Sequence, residues 1–171
     1  QLTFVYIGWL VKSKGIFELI EAIAKSSLLK NCNFLIAGGG SEFDKVSEEV
    51  LANRLDRVKV LGWQSPAQID ELLKKSHVFV LPTYAEGFPN ALLEAISQGL
   101  PAVISPVGSV ADSAIQGENA EWVIPQDVSS LKLALEKFYN NPDLLERYSK
   151  RSLEIVRELH SRDENCKKVF Q

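Results

Sequence analysis

Residues 77–105 read HVFVLPTYAEGFPNALLEAISQGLPAVIS. The run HVFVL (77–81) is short and apolar, rich in β-branched and aromatic residues, and stops at a proline. A loop follows, then a helical pattern that Asn90 is expected to cap and Gly99 to terminate, then a second apolar run, AVIS (102–105). Neither run alternates apolar with polar residues. Strands of that kind are covered on both faces, as in a parallel sheet, and parallel neighbours need a helical crossover between them.

The same unit recurs outward in both directions. FVYI (4–7), NFLIA (33–37), VKVL (58–61) and EWVI (121–124) read as further strands. Ile16, Leu19, Ile20, Ile23 and Ala24 keep the spacing of a helix stripe that faces a core. Ser65 followed by Pro66 opens a helix to about Lys75, and Asp127 caps one running to about Tyr139. Asn141-Pro142 restarts a helix, and a final amphipathic segment covers 165–170. The reading is an α/β fold: a doubly wound, mainly parallel, six-stranded Rossmann-like sheet with helices on both faces. The expected organisation is a single domain over 1–171 with closing helices from about 142.

Composition excludes several functions. With 46% hydrophobic and 24% charged residues the chain is a globular type. Nineteen basic against 22 acidic residues, a net charge of −3, lack the basic stripe a nucleic acid selects, so no nucleic-acid partner is expected. No apolar run approaches the roughly 20 residues needed to span a bilayer, and the opening does not resemble a signal peptide. Cys32 and Cys166 lack paired spacing and read as reduced thiols. His77 is expected to pack at a strand edge and His160 on a surface helix, neither with a functional role. The chain begins with Gln1 and contains no methionine, so it is expected to be a piece of a longer protein.

In a doubly wound sheet, ligands bind beyond the carboxyl ends of the strands. IGWLVKSKG (7–15) ends a strand at Gly8 and opens a helix at Lys14-Gly15; a lysine beside free helix N–H groups suits an anion, although a solvated lysine beside a turn glycine is the plainer reading. AGGGSEFD (37–44) lets a ligand approach the backbone at Gly38 and Gly39, or is simply a permissive turn; Phe43 breaks any Gly-x-Gly-x-x-Gly fingerprint. VLGWQSP (60–66), with Gly62, is weak alone.

The fourth loop holds Glu86, and Glu94 is expected one turn inside the helix after it. Between them the N–H groups of Gly87 and Phe88 and the first turn of the helix are free to donate. Carboxylates accept pairs of hydroxyl hydrogen bonds, and charged acceptors make the stronger ones. A nucleoside diphosphate sugar would use all of these groups. Taken singly, plainer roles prevail: Glu94 as a favourable charge in a helix first turn, Glu86 as an ordinary loop carboxylate.

Together, Gly-x-Leu-x-x-x-Lys-Gly (8–15), Ala-Gly-Gly-Gly (37–40), Leu-Gly (61–62), Leu-Pro-Thr (81–83), Glu-Gly-Phe-x(5)-Glu-Ala (86–95) and Gly-Leu-Pro-Ala-Val (99–103) resemble the C-terminal, donor-binding half of retaining glycosyltransferases of the GT-B fold, family 4. The resemblance implies that Lys14 binds the diphosphate and assists its departure, that Glu86 contacts the transferred sugar and that Glu94 holds the ribose. It makes Lys14 and Glu86 the catalytic pair. Gly8, Gly38, Gly39, Gly62, Gly87, Phe88, Pro89, Asn90 and Glu94 become donor-binding residues, with Gly62 beside the nucleobase. It implies metal-independent chemistry without a cofactor, retention by same-face attack rather than by a glycosidase-type carboxylate pair, and a donor that is a nucleotide sugar. Gly-Phe-Pro-Asn resembles members that use UDP-sugars in surface polysaccharide synthesis. The acceptor, a glycan or a lipid-linked species, would meet an N-terminal domain outside this chain, so the piece alone is expected to be inactive. A cytoplasmic protein is implied, with peripheral association of the parent at the inner face of the membrane.

Two departures stand out. The family usually carries arginine where this chain has Trp9, and an indole offers no guanidinium fork to a diphosphate. Where the family has Gly-Gly-x-x-Glu this chain reads GSVAD (108–112), ending at Asp112. A sugar-nucleotide 2-epimerase of the same architecture, and a degenerate non-catalytic nucleotide-binding domain, are the alternative readings.

Overall fold

The alternation of apolar runs and amphipathic helices builds a six-stranded sheet of order β3-β2-β1-β4-β5-β6, parallel throughout. The computed structural model describes residues 1–87 and 89–169, with side chains described through Leu159. The strands are β1 (Thr3–Ile7), β2 (Asn33–Ala37), β3 (Val58–Gly62), β4 (Val78–Leu81), β5 (Ala102–Ile104) and β6 (Ala120–Trp122). The helices are α1 (Ile16–Ala24), α2 (Phe43–Ala52), α3 (Pro66–Lys74), α4 (Asn90–Ser97), α5 (Val128–Asn140) and α6 (Pro142–Val169). The doubly wound reading therefore stands. α1 packs on α2 and α5, while α4 packs on α6. Crossovers between parallel strands are right-handed as a rule, and with strand order reversing at β1–β4 that rule carries helices to both sheet faces.

Continuous apolar strands are buried on both faces, as their sequence requires: Phe4, Val5, Val78, Phe79, Val80, Ala102, Val103 and Ile104 are all fully inaccessible. Phe4 sits opposite Phe34 in the β1–β2 register, and the two rings stack at 4.8 Å. Ser65 closes a reciprocal capping box with Gln68 at the start of α3, and Asp127 accepts from the N–H groups of Ser129 and Ser130 at the start of α5.

Some expectations need correction. Asn90 is not the cap of α4; it is the first helical residue, Pro89 takes the cap position, and no side chain closes that end. A proline has φ suited to the approach but no hydroxyl or carboxamide to offer, so the helix start stays open. The last strand covers Ala120–Trp122 rather than 121–124, because the Ile124 N–H turns away to the Ser130 hydroxyl. Within it Glu121 is buried, its carboxylate accepting from the Tyr148 hydroxyl (2.6 Å), Lys137 (2.5 Å) and Gln116 (3.3 Å). That group ties β6 to α5 and α6. The closing helices form one continuous α6 after Pro142 instead of a helix plus a separate final segment. His77 is exposed just before β4, and its Nδ1 accepts from the Thr3 N–H. Phe170 and the side chains of His160, Cys166 and Val169 lie outside the described residues.

Candidate functional site

Strand order reverses between β1 and β4, since β2 and β3 lie on one side of that pair and β5 and β6 on the other. The crevice beyond the carboxyl ends of these two strands is where an open α/β sheet takes its ligands. Two loops meet there, 8–15 after β1 and 82–89 after β4.

Their meeting is fixed by backbone. The Tyr84 N–H and the Thr83 hydroxyl both reach the Ser13 carbonyl, at 2.8 and 3.2 Å. The Tyr84 hydroxyl donates to Glu18 of α1 at 2.5 Å. Burial first, and then the Glu18 carboxylate, push that phenol up to about 12. A third loop braces the second from behind: the Ser109 N–H and hydroxyl donate to the Gly87 carbonyl at 3.2 and 2.8 Å. Gly108 has φ +61°, and a Cβ there would lie 2.0 Å from the Glu86 carbonyl oxygen. Only glycine fits against that carbonyl.

So held, the two loops bring Lys14 and Glu86 together across the reversal point. Lys14 Nζ lies 2.5 Å from Glu86 Oε2, with the side chains 20% and 15% exposed. Beneath them is Tyr6, whose buried hydroxyl donates to the Trp9 carbonyl at 2.9 Å. Burial, and secondarily the charge of Glu86, hold that phenol protonated well above its ordinary range.

Glu94 is arranged differently. It is exposed, and as the fifth residue of α4 it stands beyond the first turn, which carries no acid; a dipole contribution of the kind seen in a first turn therefore does not explain it. Among the described residues its carboxylate has no hydrogen-bond or ion-pair partner. Asn90 is exposed at the open helix start, Pro89 is buried, and Gly87 is exposed with open space where a Cβ would sit. Phe88 lies outside the described residues.

The glycine residues expected to meet the ligand gather on the β2 side. Gly8, Gly38 and Gly39, with Trp9, Trp63 and Gln64, line a slot of about 250 Å³. The loop layers are tight. The Gly8 N–H donates to the Ala37 carbonyl, and a Cβ on Gly38, at φ +150°, would lie 1.8 Å from the Gly8 carbonyl oxygen. Gly62 lies below, its carbonyl accepting from the Gly38 N–H at 2.8 Å, and it does not line the slot. A larger hollow, about 610 Å³, opens at the amino ends of β1–β3 among Asn33, Asp56, Arg57, Lys59 and Lys75, the end of such a sheet that does not ordinarily carry its ligand.

Thr83, Gly108 and Ser109 stand in the sequence only as members of the motifs Leu-Pro-Thr and GSVAD, with no sign of their bracing role, and the Tyr84–Glu18 bond has no sequence mark at all. The glycine after the fifth strand was the available signal for the first group; nothing local announces the second. Among the described residues no group of three or more His, Cys, Asp or Glu is placed to hold a metal ion, and no helix is long and apolar enough to cross a membrane.

The parallel sheet and its loops define the class: a GT-B glycosyltransferase domain. More narrowly, the chain belongs to the family of group 1 glycosyl transferases, whose model matches residues 1–154. It is 31% identical over 139 residues to the putative teichuronic acid biosynthesis glycosyltransferase TuaC of Bacillus subtilis, covering 81% of this chain and 33% of that protein. It is 36% identical over 112 residues to the Escherichia coli UDP-Gal:alpha-D-GlcNAc-diphosphoundecaprenol alpha-1,3-galactosyltransferase, covering 63% of this chain and 28% of that protein. The sucrose-phosphate synthase of Thermosynechococcus elongatus superposes with a TM-score of 0.85 at 25% identity, over 99% of this chain and 46% of that one. The chain thus spans less than half the length of these relatives.

Proposed function

We propose that this chain is the donor-binding half of a retaining glycosyltransferase, which moves a hexosyl or N-acetylhexosaminyl group from a nucleotide sugar, a UDP-sugar first among them, to a glycan or lipid-linked acceptor in cell-surface glycan synthesis. The observation that carries this reading is the Lys14–Glu86 pair at the reversal point of the sheet. A cation and a carboxylate in contact there can separate to serve the two chemically different parts of a sugar diphosphate.

Lys14 then follows the phosphate and stabilises the charge that grows on the departing diphosphate, assisted by the open N-terminus of α4. Glu86 is left to accept hydroxyl hydrogen bonds from the sugar, and Glu94, without a partner among the described residues, to accept them from the ribose. The chemistry needs no metal or cofactor in this scheme, because fixed positive groups take the metal's electrostatic role. The Escherichia coli relative is named for a UDP-Gal donor and the Bacillus subtilis relative for teichuronic acid biosynthesis, which supports a UDP-sugar and a glycan-building setting. Acceptor binding falls to a preceding domain, so this chain alone binds donor and transfers little. The parent acts in the cytoplasm, peripherally at the inner membrane face where lipid-linked acceptors are presented.

Calorimetric titration with UDP, GDP and ADP tests the reading. One nucleotide should bind selectively, and Lys14→Ala and Glu94→Ala should each weaken it about tenfold or more. A folded chain that binds none of the three refutes it.

A further inference from the structure

Glu18 is the acid in the first turn of α1. A carboxylate can serve a helix dipole from the surface, in water, but this one is turned inward. Its Oε1 accepts from the Tyr84 hydroxyl at 2.5 Å, and its Oε2 is buried without a hydrogen-bond partner among the described residues. A buried acceptor left unpaired opposes folding, so the dipole role alone does not account for the placement. The neighbouring contacts do. Gly15, which caps α1 at φ +70°, is pressed on the loop after β4: a Cβ there would lie 2.0 Å from the Pro82 carbonyl oxygen. Next along that loop, the buried Thr83 hydroxyl is shared between the carbonyls of Ser13 and Ala85, at 3.2 and 2.8 Å. Tyr84 then gives its N–H to Ser13 and its hydroxyl to Glu18. The loop residues Pro82 to Tyr84 are thus seated on one stretch of chain, Ser13 to Glu18, which also carries Lys14.

We propose, resting on the donor reading above, that Glu18 and Tyr84 are positioning residues: their bond sets where the Glu86 carboxylate stands, and through it the affinity for the sugar part of the donor. Glu86 is suspended between two side-chain ties. On one side Tyr84 is bonded to Glu18, and on the other the Gly87 carbonyl is bonded to the Ser109 hydroxyl. Nothing nearer stiffens it, since Ala85 and Gly87 beside it are exposed and a Cβ at Gly87 would meet open space. A hydrogen bond from a sugar hydroxyl weakens steeply as its angle and distance drift, so a carboxylate that must receive one has to be held. Lys14 needs no such tie. Its N–H donates to the Val11 carbonyl and that of Gly15 to the Lys12 carbonyl, both at 3.0 Å, so its backbone is set within its own loop. The Tyr84 bond is charge-assisted, the stronger class, and supplies the one hydrogen bond that Glu18 has among the described residues. Loss of the tie should therefore be read at the sugar and not at the phosphates.

Glu18→Met combined with Tyr84→Phe separates positioning from stability, because exchanging both partners for apolar groups of similar size is nearly neutral to folding. This double variant should melt within about 4 °C of the parent chain. Calorimetry is run with UDP, GDP and ADP, then with the glucose, galactose and N-acetylglucosamine conjugates of whichever nucleotide binds. The double variant should hold the bare nucleotide within about twofold, or more tightly, and lose about tenfold for the sugar conjugate. Tyr84→Phe alone should show the same split, while Glu18→Gln, whose carboxamide oxygen still accepts from the phenol, should retain most of the conjugate affinity. In a Glu86→Ala background the double variant should change conjugate binding by no more than about twofold, since no carboxylate remains to be placed. If the double variant keeps the parent's preference for the conjugate, the positioning role is refuted and the donor reading stands. Equal losses for both ligands, or an undiminished loss in the Glu86→Ala background, also refute it, because the bond then supports the fold and not Glu86. If neither nucleotide nor conjugate binds the folded parent chain, both readings fall.

Discussion

Glu86→Gln is the most revealing perturbation of the candidate site, because Glu86 competes with any anionic ligand for the Lys14 ammonium. Exposed ion pairs contribute about 0–1 kcal/mol, and breaking a fully buried one costs about 3–5 kcal/mol. With 20% and 15% of the side chains exposed, this pair sits between those limits. Lys14→Met strands the less mobile carboxylate and should cost about 2 kcal/mol; Glu86→Gln leaves a lysine that can swing to water and should cost about 1 kcal/mol. The double variant should cost about 1–2 kcal/mol less than the sum of the two, which is the coupling energy of the pair. In a chain of this length 1 kcal/mol moves the melting midpoint by about 2–4 °C, so Lys14→Met should lower it by about 4–8 °C. The ligand effect runs the other way. With the competing carboxylate gone, Lys14 is free for phosphate and a repulsive charge is removed, so Glu86→Gln should bind UDP about tenfold more tightly, about 1.4 kcal/mol. It should gain nothing with a UDP-sugar, whose sugar hydroxyls lose a charged acceptor. Calorimetry with UDP and with UDP-sugar, beside thermal melts of the four-member cycle, measures all of this. Additive single variants, or UDP affinity unchanged in Glu86→Gln, would refute the picture of a pair that opens to admit the donor.

Two further outcomes are expected. Gly108→Ala combines a left-handed φ, worth about 1–2 kcal/mol for an L-residue, with a methyl 2.0 Å from the Glu86 carbonyl; it should lower the melting midpoint by at least about 2–4 °C and weaken UDP-sugar binding, and a variant that melts and binds like the parent would show that the brace is dispensable. Burial pushes the Cys32 thiol from about 9 to about 11, with Arg57 opposing weakly. Between those values the folded chain holds a proton that the unfolded chain has lost, so this group's contribution to stability is intact below pH 9 and declines as pH rises through 11. In a Cys166→Ser background, alkylation at pH 8 should be far slower in the native chain than in urea; equal rates would contradict the buried, protonated thiol.

The sheet was readable because each strand carries its own mark. NFLIA matches β2 residue for residue, and Ser65-Pro66 and Asp127 announce helix starts through local hydrogen bonds that depend on few neighbours. EWVI was misjudged because its apolar look concealed Glu121, whose burial depends on Tyr148 and Lys137, residues far along the chain. Asn90 failed as a cap for a similar reason. Cap preference is a weak local force, and the proline before it decided where the helix began. At the site, motif spacing named Lys14 and Glu86 but could not show that they touch, since 72 residues separate them and strand order alone brings them together.

Strand order also explains why the charged and uncharged parts of the site are segregated. The loop after β1 is shared. Its first residues, Gly8 and Trp9, lie against the glycine loop after β2, while its last, Ser13 and Lys14, are gripped by the loop after β4. One loop therefore straddles the reversal point with an aromatic face on one side and a cation on the other. The bracing follows from the same arrangement. Glu86 is held in place by Ser109 and Gly108 from the loop after β5, the next strand outward, so the carboxylate's position is fixed by a strand that contributes no proposed donor contact. Changes in that outer loop should therefore be felt at Glu86 before they reach the slot on the far side of the reversal point, where Trp9 follows β1 and Trp63 follows β3.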